Sequence, residues 1–465
     1  MKKWLLGIVA LTVCVTLTAC NRSGSGGENG IDVSDKGNAS ATKDGKTVVT
    51  LSVIQKDPNG WLDQAAQTYE QAHPDIDIVI KEYLTTPDRA PGQALHIGGD
   101  INPAELETYR NAMNTELMSG KGPDLISVNN LNYGQYADRN LLADIGELMK
   151  NDQDFASPDY FTNVFDAAKH EGKLVAMPIV FWIHTLTSGF SPSDLQVDEA
   201  NWTWNDLLNK GKEMVDKDST LGVMGAVSPS SLLSKMVLGE FNQYIDSKSK
   251  QAKFDSPSFI QLLNHVRDMY DNGLLSEDYD KLIEDRDIFR DETFYAPVML
   301  YQALQYNRQI LNLPSSGDKN GLVFSSNLML AINEKSAVKQ EAWDFMKYLI
   351  SEEMQSHPAQ FMSFPIHKAA LEVALTNQLK NSSVQTQAMG GDRKSDPGTD
   401  RPVVVDKETL QKIMQFAEKP GRFLDSDPRL MSIIEEESSA FFAGKKSAEE
   451  VAATIQNRTQ LYLNE

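Results

Sequence analysis

Cysteine is nearly missing from this chain: 465 residues carry two, Cys14 and Cys20. Cys14 lies inside an apolar run at the N-terminus, so the remainder forms no internal disulfide and its fold rests on a hydrophobic core. Hydrophobic residues make up 41%, which at this length supplies such a core and places the chain among globular proteins of two or three domains or lobes. Positive charge is also short, with 44 basic residues against 65 acidic ones and a net charge of -21. A field of that sign repels phosphate, which excludes nucleic acid as the main partner. The longest apolar run, Trp4 to Leu17, spans roughly 14 residues and falls short of the ~18–20 that a membrane-crossing helix needs.

Reaction chemistry is missing too. None of the seven histidines pairs at a zinc-binding spacing. There is no nucleophile elbow, no P-loop and no glycine-rich dinucleotide fingerprint. Asp216 and Asp218 lack the glycine and closing glutamate of a calcium loop and read as a solvated helix end. With 65 acids, a carboxylate pair can be found almost anywhere, so counting supports no glycosidase dyad. The reading is therefore a non-enzyme with no catalytic residue, metal or cofactor.

What is present begins with a leader. Lys2 and Lys3 precede the apolar run, and Leu17-Thr18-Ala19 leads to Cys20. A charged start, a short apolar core and small residues before a cut describe a signal peptide over 1–19. A cut before cysteine resembles the lipobox of bacterial lipoproteins, which implies acylation of Cys20. Residues 20–45, rich in Gly, Ser, Asn and Asp, read as a flexible tether, and the folded body starts near Lys46.

Within the body, Thr47–Ile54 is rich in β-branched residues and reads as a strand. Leu62, Ala65, Ala66 and Tyr69 recur at helical spacing, and Ile76–Tyr83 reads as a second strand. This strand–helix–strand order predicts an α/β fold with parallel pairing. A helix through Leu106, Tyr109, Met113 and Leu117, a strand over 124–128 and a short helix over 141–149 follow. The strand over 173–183 is broken at Pro178. Helices are predicted from Asn201, through Phe259–Met269 and Ala342–Ile350, and around 410–417, 429–442 and 448–463; 321–332 returns to strand. The polar stretch 376–400, with Gly390-Gly391 and Pro397-Gly398, reads as a loop.

In open α/β sheets, ligands sit beyond the carboxyl ends of strands. Asp57 and Trp61 follow the first strand; Asn129, Asn130, Asn132 and Tyr133 follow the third; Trp182 and His184 follow the break at Pro178. Amides and carboxylates hydrogen-bond neutral hydroxyls, and flat aromatic faces pack on C–H faces, a combination that suits a sugar. Tyr295 and Tyr301 complete the candidate ligand-binding set. Trp202 and Trp204 are assigned to packing at a helix start.

Leu117–Leu125 (LMSGKGPDL) is the most specific of several stretches that together resemble the extracellular solute-binding proteins of family 1, sugar-capturing lipoproteins of ABC importers. Tyr69–Ile76 (YEQAHPDI) and Gly172–Ile179 (GKLVAMPI) are similar to family segments, with Val175 where a tyrosine is usual. Phe254–Pro257, Asp271–Leu275, Glu341–Phe345, Leu349–Glu353, Phe364–Ile366 and Phe442–Glu450 extend the likeness over nearly all of the body. The resemblance implies a two-lobed periplasmic-binding-protein-like fold of type II, with a cleft between the lobes. Crossovers are expected just after Pro178 and near Leu322–Ser326. Lobe 1 is expected at about 46–180 plus 323–375, and lobe 2 at about 181–322 plus 400–465. Asp124 of the GPD motif reads as structural. The implied function is a monomeric, lipid-anchored receptor at the outer membrane face, passing a carbohydrate, expected to be an oligosaccharide, to an ABC permease. Three alternatives stay open: a binder of a non-sugar solute, a sensory accessory receptor, and a carbohydrate-active enzyme.

Overall fold

The β-branched run near the start of the body forms the strand its residues predict, and parallel pairing follows from the helix behind it. The computed structural model describes residues 42–43, 45–56, 60–84, 103–225, 227–246, 249–277, 286–315, 321–356, 363–388, 405–424 and 428–464. β1 (Thr42–Lys43) folds back on β2 (Lys46–Val53). Helix Trp61–Ala72 buries Trp61, Leu62, Ala65, Ala66 and Tyr69 as one stripe, and β3 (Ile76–Glu82) then runs parallel to β2. The stripe packs through Tyr69 on Phe345 of helix Lys339–Leu349, with ring centroids 5.2 Å apart. Helix Pro103–Ser119 leads to β4 (Leu125–Ser127), parallel to β2 on its other side. Here Asp124 is structural: one carboxylate oxygen accepts the Thr50 N–H (2.9 Å) and hydroxyl (2.6 Å), and the other accepts the Ser336 hydroxyl (2.7 Å).

β5 (Met177–Pro178) ends the first run of strands, and β6 (Val180–Ser188) begins after the single residue Ile179. There follow β7 (Gly222–Met224), β8 (Ile245–Asp246), β9 (Gln251–Ala252), β10 (Asp287–Phe294) and β11 (Gln309–Leu311). The last strands are β12 (Leu322–Ser325), β13 (Met329–Ile332), β14 (Phe364–Pro365) and β15 (Pro420–Phe423). Among the described residues these make a six-stranded sheet in the order β1-β2-β4-β13-β5, with β3 on β2. A seven-stranded sheet runs β15-β12-β6-β10-β7, with β11 and β14 also on β6. The described residues from Thr42 onward belong to one compact unit.

One apolar core runs from the first sheet past Phe161, Phe181 and Phe324 to Phe294 and Phe416 beside the second. A second core gathers Trp202, Trp204, Leu207, Val223 and Phe289, so both tryptophans pack at the start of helix Trp204–Lys217 as expected. A third joins Tyr244, Phe254 and Phe259 to the C-terminal helices through Phe441 and Val451.

The expected loop over 376–400 is corrected in its first half, where helix Lys368–Ala388 continues. Its start buries Ala370, Leu371 and Leu375, and no glycine or proline interrupts it before Gly390. The rest of that stretch lies outside the described residues. β14 pairs with β6, while the Ile366 carbonyl just after it accepts the Phe161 N–H at 3.0 Å. Among the described residues no helix is long and apolar enough to cross a membrane, and no group of three His, Cys, Asp or Glu stands close enough to hold a metal ion.

Candidate ligand site at the junction of the two sheets

The chain passes from one sheet to the other at Ile179 and again at Ser326–Leu328, and these crossovers run side by side. The Ile179 N–H donates to the Leu328 carbonyl at 2.9 Å. Two side-chain amides stitch them in place. Asn129, just beyond β4, donates to the Ser326 carbonyl at 2.8 Å and accepts the Met329 N–H at 2.7 Å. Gln355, 1% exposed, donates to the Ile179 carbonyl at 3.1 Å and accepts the Ile366 N–H at 2.7 Å. An amide suits both places because it offers donor and acceptor on one planar group.

Beyond the crossover, side chains of β6 alternate between faces, so Trp182 and His184 share one. Register adds neighbours to that face: Ser325 lies opposite Trp182, and Thr293 opposite His184. Phe181 and Ile183, on the other face, are 0% exposed. The Trp182 indole N–H donates to the Ser363 hydroxyl at 3.0 Å, and its ring meets Tyr295 edge to face, 4.9 Å between centroids at 86°. Two orthogonal aromatic surfaces, each partly open, thus border a row of hydroxyls.

His184 joins three strands. Nδ1 lies 3.0 Å from the Thr293 hydroxyl on β10 and Nε2 lies 2.8 Å from the Ser325 hydroxyl on β12. Burial pushes its imidazole down to about 4, and the nearby Lys235 ammonium acts in the same direction. Lys235, on helix Pro229–Gly239, is itself lowered to about 8 by burial and forms an ion pair with Asp291 of β10. Asp291 shares the face of Thr293 by alternation. Two pockets lie elsewhere: one of about 440 Å³ between Trp204, Tyr244 and His265, and one of about 530 Å³ between Asp138, His170 and Glu334. Neither includes Trp182, His184 or Tyr295.

The family model for bacterial extracellular solute-binding proteins matches residues 55–356, well over half of the chain. The chain belongs to this family. None of the curated proteins matches it. Among solved structures it is similar to an ABC substrate-binding protein from Listeria monocytogenes in complex with cycloalternan, at 14% identity and a TM-score of 0.52 over 90% of this chain and 99% of that one. The sugar-binding protein MalE of Xanthomonas citri gives 13%, 0.55, 90% and 98%. A periplasmic oligogalacturonide-binding protein of Yersinia enterocolitica gives 14%, 0.54, 90% and 99%. At these identities the likeness concerns the fold: two lobes of mixed α/β structure joined by crossovers.

Not every residue singled out in this solute-binding protein stands at the junction. Trp61 is 1% exposed and Tyr133 5%, both within the core of the first sheet. Each opens a helix whose apolar side faces that sheet, so neither offers a ring face to a ligand as expected from sequence. Asn130 holds a left-handed turn with φ 65°, and its carbonyl accepts from Arg110 Nε at 2.9 Å. Asn132 caps helix Tyr133–Asp138 and reaches the Tyr462 hydroxyl at 3.4 Å. Tyr301 packs half-buried against the large core from helix Pro297–Gln305. Asp57 and Cys20 lie outside the described residues. Sequence reasoning missed Thr293, Ser325, Ser363, Lys235 and Asp291. Alternation along β10 was readable and would have put Asp291 and Thr293 on one face with Tyr295; the register that brings them to β6 was not.

Proposed function

We propose that this solute-binding protein captures a carbohydrate, an oligosaccharide, and hands it to an ABC importer. The observation that carries this reading is the Trp182–Tyr295 corner beside the hydroxyls of Thr293 and Ser325 at the sheet junction. Aromatic faces pack on the C–H faces of a sugar ring, while hydroxyls and an uncharged imidazole exchange hydrogen bonds with its OH groups. The sugar-binding structures of the same fold support the reading by analogy.

In this reading one lobe is built on the six-stranded sheet and the other on the seven-stranded sheet, and the ligand bridges them. Closure about Ile179 and Ser326–Leu328 is favoured by the extra contacts the closed form makes. On this reading the protein acts as a monomer held by a lipid on Cys20 at the outer membrane face, with the segment between Cys20 and β1 as its tether. Its partners are the sugar and a membrane permease, and it performs no chemistry of its own.

Thermal melting of the full mature chain against a panel of mono- and oligosaccharides tests this. A sugar at 100 times its dissociation constant adds about 2.7 kcal/mol and raises Tm by roughly a few degrees for a protein of this size. A shift restricted to one sugar class is the expected result. A folded protein that no sugar moves contradicts the reading.

A further inference from the structure

The ion pair between Lys235 and Asp291 is out of place as a structural device. It links helix Pro229–Gly239 to β10 of the second sheet, and its side chains are 35% and 28% exposed. Ion pairs this open contribute little to stability. Its position is informative, however. Asp291 lies opposite Leu186, Thr293 opposite His184 and Ser325 opposite Trp182, so all of them share the face that carries the aromatic corner.

Resting on the carbohydrate reading above, we propose that Lys235 and Asp291 form a polar subsite that recognises vicinal hydroxyls of an uncharged sugar and discriminates against carboxylated ones. An ammonium has three donors and a carboxylate about four acceptor positions, so their mutual contact leaves both with capacity for a ligand. A 1,2-diol matches that pair: one hydroxyl accepts from Lys235, the other donates to Asp291, and both bonds are charge-assisted. A uronate meets the opposite situation. Its carboxylate would approach Lys235 only beside the like charge of Asp291.

Among the described residues of β6 and β10 on this face, none adds a second cation. His184 lies between two hydroxyls and burial keeps it neutral. Arg290 and Glu292 alternate to the opposite face of β10. The local charge is therefore balanced before a ligand arrives, and a neutral polyol gains hydrogen bonds without bringing an uncompensated charge.

The test uses the full mature chain and the variants Lys235→Met and Asp291→Asn, with binding of maltotriose, cellotriose and trigalacturonate followed by calorimetry. Circular dichroism and melting confirm that each variant folds. The wild type is expected to bind a neutral trisaccharide and not trigalacturonate. Each variant should weaken the neutral sugar by at least about tenfold, the loss of a charged hydrogen bond. Asp291→Asn, which frees the ammonium from its carboxylate, should in addition gain affinity for trigalacturonate, an effect that a merely structural pair would not produce. If both variants bind the neutral sugar as the wild type does, or if the wild type prefers trigalacturonate, the subsite is overturned while the carbohydrate reading stands. If the folded wild type binds no sugar of either kind, the carbohydrate reading fails and the subsite with it.

Discussion

His184 is held between two hydroxyls, and burial opposes an imidazolium there, with the Lys235 cation acting in the same direction. The unfolded chain takes up that proton near the ordinary value of 6.5 and the folded chain only near about 4. Unfolding is therefore favoured as pH falls through this window, and His184 alone removes on the order of 3 kcal/mol between neutral pH and about 4. His184→Gln keeps hydrogen-bonding capacity and does not titrate. Its Tm should fall less than that of the wild type between about pH 7 and pH 4.5; identical pH profiles would show that the imidazole is solvated. Asn129→Ala removes two hydrogen bonds to crossover backbone and should lower unfolding free energy by about 2–3 kcal/mol. The neighbouring Asn130→Gly should be neutral or slightly stabilising, because its φ of 65° suits glycine. Urea titration of the two variants checks the contrast. At this scale the position of Trp182 just beyond the sheet crossover was legible because Pro178 marks where the strand breaks. Trp61 and Tyr133 misled because an aromatic at a helix start looks the same whether it faces a ligand or the core.

Among the elements, β6 determines where the site forms. Along one edge β12 pairs with Trp182–His184 and β11 with Leu186–Ser188, β10 takes the other edge, and β14 pairs with Val180–Phe181. Only the stretch next to the crossover is left open on one face, at Trp182 and His184. β12 in turn depends on Gly321, where φ is +79° and an added Cβ would lie 2.2 Å from the Lys419 carbonyl oxygen. Gly321→Ala should cost at least about 2 kcal/mol, since both backbone and neighbour resist it. A melting temperature unchanged from wild type would refute that placement. Periodicity revealed most elements, including the helices from Trp204 and Pro257 and the three that close the chain. It failed over 376–388, where polar helix formers look like a loop unless one knows that Ala370, Leu371 and Leu375 anchor the start. Strand partners were legible only where a helix joins neighbours, as from β2 to β3; the antiparallel contacts of β6 span up to nearly two hundred residues and leave no local trace.

The molecule as a whole keeps one continuous apolar core across the crossovers, from Phe161 and Phe181 to Phe324 and Phe416. Ile179 and Ser326–Leu328 are where the chain crosses between the two sheets, and the proposed closure turns about them. Away from them, the contact between Asn132 and the Tyr462 hydroxyl joins the loop after β4 to the C-terminal helix. Family-level motifs carried this architecture in the sequence; the side chains of the proposed site were not among them, because their grouping depends on register. The central claim is that ligand sits on the Trp182–Tyr295 corner. Calorimetric titration of Trp182→Ala and wild type, using the sugar that raises Tm most, tests it directly. Loss of the ring should weaken binding by at least about tenfold, equal to about 1.4 kcal/mol, with the melting temperature of the free protein little changed. Equal affinity in the two proteins would place the ligand elsewhere, with the pocket at Trp204 and His265 next to be examined.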